Sequence, residues 1–385
     1  MYRVAILGSG AISHSHIQAY LKFSHRCRIV AVADLFPDKA AAKVARYGLQ
    51  AAVFRDCAEL LRSADFELAS VCLPPFVHAP AAVDLLCAGK HVLVEKPMAT
   101  CLEECDRMLE AARSGRRLLS VVAQNRFKAP MSKLKQVLDS GLIGQVLHGQ
   151  VDSFWWRGAN YYDLWWRGTW EKEGGGCTMN HAVHHIDLFQ WMMGMPLEIQ
   201  ALTANLAHEN SEVEDFAAAV LTYANGSIGQ ITASLVHHGE EQQLAFQGQR
   251  AKVAVPWRVQ AAQAKENGFP EPHLALEAEI QSFYDRLPPL PFEGHDGQIA
   301  NVLAALDGDE PLLVDGNEGR KTLELITAIY QSAHLGQRVR LPLQPSDLFY
   351  TREGILRTAR RFHAKARSVE NFAHNEITLG RDYGR

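Results

Sequence analysis

Arg3-Val4-Ala5-Ile6-Leu7-Gly8-Ser9-Gly10-Ala11-Ile12-Ser13 sets a short run of buried-strand type directly before a glycine turn, and a helical stretch follows to about Phe23. Strand, glycine turn and helix in that order are the context that a dinucleotide fingerprint needs. Gly8 makes the tight turn, and Gly10 lets main chain approach a pyrophosphate. From Ala11 and Ile12 onward the helix start offers free N–H groups and the positive end of its dipole. Ser13 stands where the fingerprint has its third glycine.

The pattern repeats outward from there. Arg28 to Ala33 is a second strand ending in Asp34, which stands 24 positions after Gly10. A carboxylate there accepts from both ribose hydroxyls and repels a 2′-phosphate, which favours NAD over NADP. The plainer alternative is that Asp34 caps the turn Asp34-Leu35-Phe36-Pro37. Helices are expected at Asp38 to Tyr47, ending at Gly48, and at Cys57 to Ser63. Leu68 to Leu73 reads as another buried strand and runs into Pro74-Pro75-Phe76-Val77-His78, a stiff turn suited to press on the cofactor riboses, with His78 opening the next helix.

Val92-Leu93-Val94 is a strand buried on both faces, followed by Glu95-Lys96-Pro97. Pro97 biases Lys96 toward an extended conformation, so the ammonium sits at the carboxyl end of the strand, where ligands of open α/β sheets bind. The alternative is a surface ion pair of little worth. After a helix to Ser114, Leu118 to Ala123 is the last strand and delivers Gln124-Asn125-Arg126-Phe127. Strands alternating with helices predict an α/β fold, a doubly wound parallel sheet over residues 1–125. The expected cofactor contacts are Gly8, Gly10, Ala11, Ile12, Asp34, Leu73, Pro74, His78, Glu95, Lys96 and Gln124.

The 385 residues suit two domains, and 47% apolar with 21% charged residues supply an ordinary core. A net charge of −4 argues against a nucleic-acid surface. Seven scattered cysteines favour a reducing compartment, no signal-peptide pattern opens the chain, and no apolar run spans a bilayer, so a cytoplasmic location is expected.

Residues 126–343 read as a second domain and 344–385 as an extension. A helix is expected at Met131 to Ser140 and a strand at Val146 to Phe154. An aromatic segment follows, Trp155, Trp156, Tyr161, Tyr162, Trp165, Trp166 and Trp170, interrupted by Arg157, Arg167 and glycines, which suits a loop over a cleft better than a packed strand. Trp165, Arg167 and Arg126 are its candidate substrate contacts. Gly174-Gly175-Gly176 then permits close approach of main chain to a ligand and opens a helix running to Gly194. On that helix Asn180, His184 and Asp187 fall at i, i+4 and i+7, on one face. His181 and His185 form another i, i+4 pair, but no carboxylate or cysteine in register completes a metal site, so none is expected. Phe216 to Tyr223, the turn Asn225-Gly226 and Ser227 to Val236 form a hairpin in a sheet over 196–255. In the extension, Pro345-Ser346-Asp347 could cap a helix, Glu353 to Ala366 is a basic helical pattern, and the polar end from Asn371 is disordered or reaches a partner subunit.

The glycine turn, Glu95-Lys96-Pro97 and the triple glycine with Asn180, His184 and Asp187, in this order, resemble the Gfo/Idh/MocA family of oxidoreductases. Thr322 to Ser332 resembles the family's late helix, which packs back on the first domain. The resemblance implies a Rossmann domain followed by an α/β domain whose large, mostly antiparallel sheet makes a homodimer or homotetramer. It implies NAD(P)-dependent hydride transfer at a secondary alcohol of a sugar, sugar derivative or cyclitol, with Lys96 as the family's lysine and His184 as its histidine. Asn180 departs from the aspartate of the simple sugar and inositol dehydrogenases and leans toward a decorated or activated sugar. His184 would be the base, Lys96 would stabilise the alkoxide or share the proton, and Asn180 would orient His184 or bond the substrate. Asp187 would be a structural partner. Two alternatives stay open: a glycoside-cleaving enzyme that oxidises its sugar transiently, and a dinucleotide sensor with no catalysis.

Overall fold

The computed structural model describes residues 1–370 and 372. Strands β1 (Tyr2–Leu7), β2 (Cys27–Ala33), β3 (Ala52–Phe54), β4 (Leu68–Val71), β5 (His91–Val94) and β6 (Leu119–Val121) form one sheet in the order β3-β2-β1-β4-β5-β6. Every pairing in it is parallel. This is the doubly wound sheet the sequence predicts, with β3 added. Ala52-Val53-Phe54 is too short to show a period.

Parallel strands must be covered on both faces. Val4, Ile6, Val32 and Leu93 pack with Ile17 and Tyr20 of the helix Ser13–Lys22 on one face. Ile299, Val302 and Leu303 join them from the helix Gly294–Asp307, a late segment that returns to the first sheet. Its Gln298 accepts from Ala123 N at 2.9 Å and donates to Val121 O at 2.7 Å, extending the sheet edge with a side chain. The helix Gly316–Leu335 returns as well: Gly319 lies so close to β6 that a Cβ there would come 2.5 Å from Val121 Cγ2.

The second sheet uses β7 (Val146–Phe154), β8 (Glu198–Ala204), β9 (Phe216–Thr222), β10 (Ile228–Ser234), β11 (Gln242–Gly248), β12 (Ala251–Val255), β13 (Arg258–Ala264), β14 (Pro270–Pro272) and β15 (Val339–Arg340). Its order is β14-β13-β12-β11-β7-β10-β9-β8-β15. Within this sheet only β7 and β10 run parallel among the described residues. The expected hairpin is β9 and β10, turning at Gly226 with φ +83°. The helix Val183–Met193 covers one face, where Phe189 lies against Phe246 at 6.0 Å.

The extension departs from expectation. Asp347 accepts from Gln344 N in a turn, and the helix Arg352–Thr358 is capped by Thr351. From Ala359 to Ala366 the chain has no regular secondary structure rather than a helix, because basic residues give this stretch no apolar stripe to bury. The expectation for the chain end lies outside the described residues, Phe372 apart. No described helix is long and apolar enough to cross a membrane.

Candidate active site

The glycine turn joins β1 to the helix Ser13–Lys22. Gly8 has φ +96°, and a Cβ on it would lie 2.4 Å from Cys72 O, so glycine is required there by the neighbouring strand end. Gly10 differs: a Cβ on it meets nothing within 4 Å, so the protein itself makes no such demand. The buried Ser9 Oγ and Gln124 Oε1 have no hydrogen-bond partner among the described residues. Empty space over Gly10 and these orphaned atoms fit a bound dinucleotide. Asp34 accepts from Ser9 N at 2.7 Å and from Phe36 N at 2.9 Å. It caps its own turn and also stands against the glycine loop.

Two expected contacts are spent on the protein. His78 lies between two carbonyls, Nδ1 2.8 Å from Pro97 O and Nε2 2.7 Å from Leu73 O. It is a buried strut between the Pro74 turn and the Lys96-Pro97 segment, whose peptide is cis. Glu95 is buried too, accepting from His16 Nε2 at 2.8 Å and from Lys96 N at 3.2 Å. Burial works against its charge, but His16 and His295 outweigh this and hold its pKa well below the usual carboxylate range.

Lys96 and His184 line one cavity at the carboxyl end of β5, with Met98, Ala123, Asn125 and Asp187 in its wall. Lys96 Nζ donates to Asn180 O at 3.2 Å. Burial lowers its pKa, with Arg167 adding to the effect and Glu95 opposing it. His184 is pushed well below its usual value, by burial first and by the charge of Lys96 second. The ring is therefore neutral near pH 7.

The helix carrying His184 is not continuous with Asn180. A short turn, Cys177–Asn180, ends at His181, and the helix restarts at Val183. Ala182 N reaches back to Cys177 O, five residues away, which breaks the i, i+4, i+7 register. His184 and Asp187 remain on one helix, whereas the Asn180 side chain turns to Gly175 O at 3.2 Å. What Asn180 offers Lys96 is its carbonyl. The triple glycine likewise faces protein rather than ligand. Cβ atoms at Gly174, Gly175 and Gly176 would meet Thr100 at 3.1 Å, Tyr330 Oη at 2.2 Å and Glu214 O at 1.8 Å. Glu214 takes N–H bonds from Gly176 and Thr178, both 3.0 Å, and a 2.8 Å bond from Tyr330. No local pattern marks Glu214 in the sequence, because its partners come from distant segments.

Arg126 corrects another expectation. Its guanidinium is wholly buried, bonding Asp187 at 2.9 and 2.8 Å and Glu318 at 2.9 Å. Thr322 Oγ1 also donates to Asp187, at 3.0 Å. Arg126 and Asp187 thus lock the end of the first sheet to two helices, and Arg126 is not in the cavity wall that Asp187 joins. Arg167 lies over Tyr161 and Trp166, 4.1 and 4.3 Å from the ring centroids, and pairs with Glu173 at 3.3 Å. Burial lifts the Glu173 pKa to about 7. Trp165 meets Phe76 of the proline turn edge-on at 6.1 Å, bridging the aromatic loop to the cofactor side. His181 and His185 flank Trp155, and Ser153 Oγ lies 2.6 Å from His185 Nδ1. The one grouping of metal-capable side chains among the described residues is His16, Glu95 and His295, which the sequence reading did not single out.

Residues 2–123 match the model of the oxidoreductase family with an NAD-binding Rossmann fold, and residues 131–254 match the GFO/IDH/MocA C-terminal domain. The chain belongs to the Gfo/Idh/MocA oxidoreductases. Among its relatives within the family, inositol 2-dehydrogenase of Salmonella paratyphi B is 25% identical over 323 residues, 78% of this chain and 92% of that one. The WlbA dehydrogenase from Bordetella pertussis, crystallised with NADH and UDP-GlcNAcA, is 32% identical with a TM-score of 0.77, covering 89% of this chain and 99% of that one. Levoglucosan dehydrogenase, in complex with NADH and levoglucosan, shares the fold at 20% identity, with a TM-score of 0.75 and coverage of 89% and 99%. The Gfo/Idh/MocA assignment makes the first sheet an NAD-binding fold.

Proposed function

We propose that the protein oxidises a secondary alcohol of a sugar derivative with NAD, or runs the reverse reduction, at the cavity between Lys96 and His184. The observation that carries this reading is the pairing in one cavity of a lysine whose charge is destabilised with a histidine held neutral. When bound, NAD supplies the hydride acceptor. His184 takes the hydroxyl proton, since a neutral imidazole is a base at pH 7. Lys96 donates to the same oxygen as charge develops on it, anchored by the Asn180 carbonyl, with Glu95 partly opposing the effect of burial on its charge. Arg167 and Trp165 border the substrate. The charge of Arg167 beside Lys96 and the similarity to WlbA both support a substrate bearing an acidic or nucleotide-linked group.

In this reading residues 1–125 hold the cofactor, and 126–343 hold the substrate and make a homo-oligomer. The outer face of the second sheet supports the latter: Leu202, Val220 and Ile228 are 56%, 46% and 38% exposed on neighbouring strands. Seven cysteines without a single disulfide support a cytoplasmic location.

The test is absorbance at 340 nm with NAD and NADP in parallel against polyols, free sugars, glycosides and nucleotide sugars. NADH is expected with one sugar class, and NADP is expected to work poorly because of Asp34. Cleavage of a glycoside with no net NADH would replace this reading by transient oxidation.

A further inference from the structure

We infer that residues 359–370, after the helix Arg352–Thr358, are a strap that sets the shape of the substrate-side loop, with Asn210 as its clamp. Phe362 N and His363 N donate to Glu212 O and Ser211 O, at 3.0 and 3.2 Å. Asn210 Oδ1 accepts from Ala366 N and Arg367 N at 2.8 and 2.9 Å. Its Nδ2 faces Arg367 O at 3.0 Å, Asp163 Oδ1 at 2.7 Å and Tyr162 O at 3.3 Å. One buried amide therefore ties the strap to the aromatic loop. Val369 completes the attachment as a parallel bridge to Leu164, donating to Asp163 O at 2.7 Å and accepting from Trp165 N at 2.9 Å. Lys365 donates to Tyr162 O and stands in the field of Glu173, the acid that grips Arg167.

The strap contributes little to the core. Its side chains from Arg361 to Glu370 are mostly exposed, and its attachments are chiefly hydrogen bonds of its main chain to the loop and to residues 210–212, with Lys365, Arg361 and Arg367 adding side-chain contacts to Tyr162, Glu212 and Asp163. Such bonds fix position more than they add stability. The position they fix is that of Trp165 against Phe76 and of Arg167 between its two rings. Asn210, Lys365 and Val369 are positioning residues for substrate selection.

This rests on the reading of Trp165 and Arg167 as substrate-side residues. The test is Val369→Pro in the full-length chain, which removes one donor at an exposed site. Expected are a KM for the sugar substrate raised ~10-fold with kcat within ~2-fold, as for lost positioning of a binding loop. Amide exchange at 163–165 is expected to quicken. Asn210→Ala should act in the same direction and more strongly. Unchanged KM and unchanged exchange in both variants would overturn the strap, as would a parallel fall of kcat and thermal stability with no KM effect. If the unsubstituted chain turns over no sugar, the proposed function fails separately, and retained exchange protection in Val369→Pro still decides against the strap.

Discussion

Lys96→Ala is expected to lower kcat/KM on the order of a thousandfold, the size of losing a donor to a developing oxyanion together with a proton-transfer partner. The ammonium is held at the carboxyl end of β5 by a bond to the Asn180 carbonyl, so alanine removes the charge and leaves its support in place. NADH binding, read by fluorescence titration, should change little, because the Gly8-to-Ser13 turn and Asp34 are untouched. His184→Ala should cost a similar factor and, unlike Lys96→Ala, should flatten the acid limb of the pH profile. That limb lies below the ordinary histidine range of ~6.5, since burial and Lys96 both depress the His184 pKa. A Lys96→Ala enzyme keeping a tenth or more of its activity would remove the lysine from the chemistry.

Arg126→Ala is expected to destabilise the fold by roughly 3–5 kcal/mol, the usual consequence of stripping the partner from a buried charge. The guanidinium is fully buried and answers two acids, Asp187 at 7% and Glu318 at 23% side-chain exposure. Among the described residues, removing it leaves Asp187 with the Thr322 hydroxyl from another element. The double variant Arg126→Met, Asp187→Leu should recover much of the loss, since the buried Asp187 charge is removed as well and Glu318 keeps its pair with Lys321. Urea denaturation monitored by tryptophan fluorescence reads both. A stable Arg126→Ala with a raised sugar KM would restore Arg126 to the substrate site.

How far the sequence could be read follows from how local each signal is. Strand, glycine turn and helix at Arg3 to Ser13 are neighbours in the chain, so their order alone predicts the first sheet. Glu95-Lys96-Pro97 is equally local, and Lys96 is at the cavity. Arg126 and Asp187 read as two polar residues in separate motifs, and only tertiary structure shows that they face each other. The triple glycine is legible as a demand for no side chain, yet the sequence cannot say what presses there. Thr100, Glu214 and Tyr330 come from three distant segments. The break at His181 was invisible because its residues still fit a helical period. His16 beside Glu95 and the helix Gly294–Asp307 on the first sheet are likewise long-range facts without a local pattern.

The most direct test of the account uses a substrate carrying deuterium on the carbon of the hydroxyl to be oxidised, incubated with NAD and the unsubstituted protein. The account predicts one deuterium in the reduced nicotinamide for each ketone released, and a slower turnover than with the unlabelled sugar. Ketone formed without deuterium transfer to the nicotinamide, or no reduced cofactor with any sugar despite tight NADH binding, would contradict it.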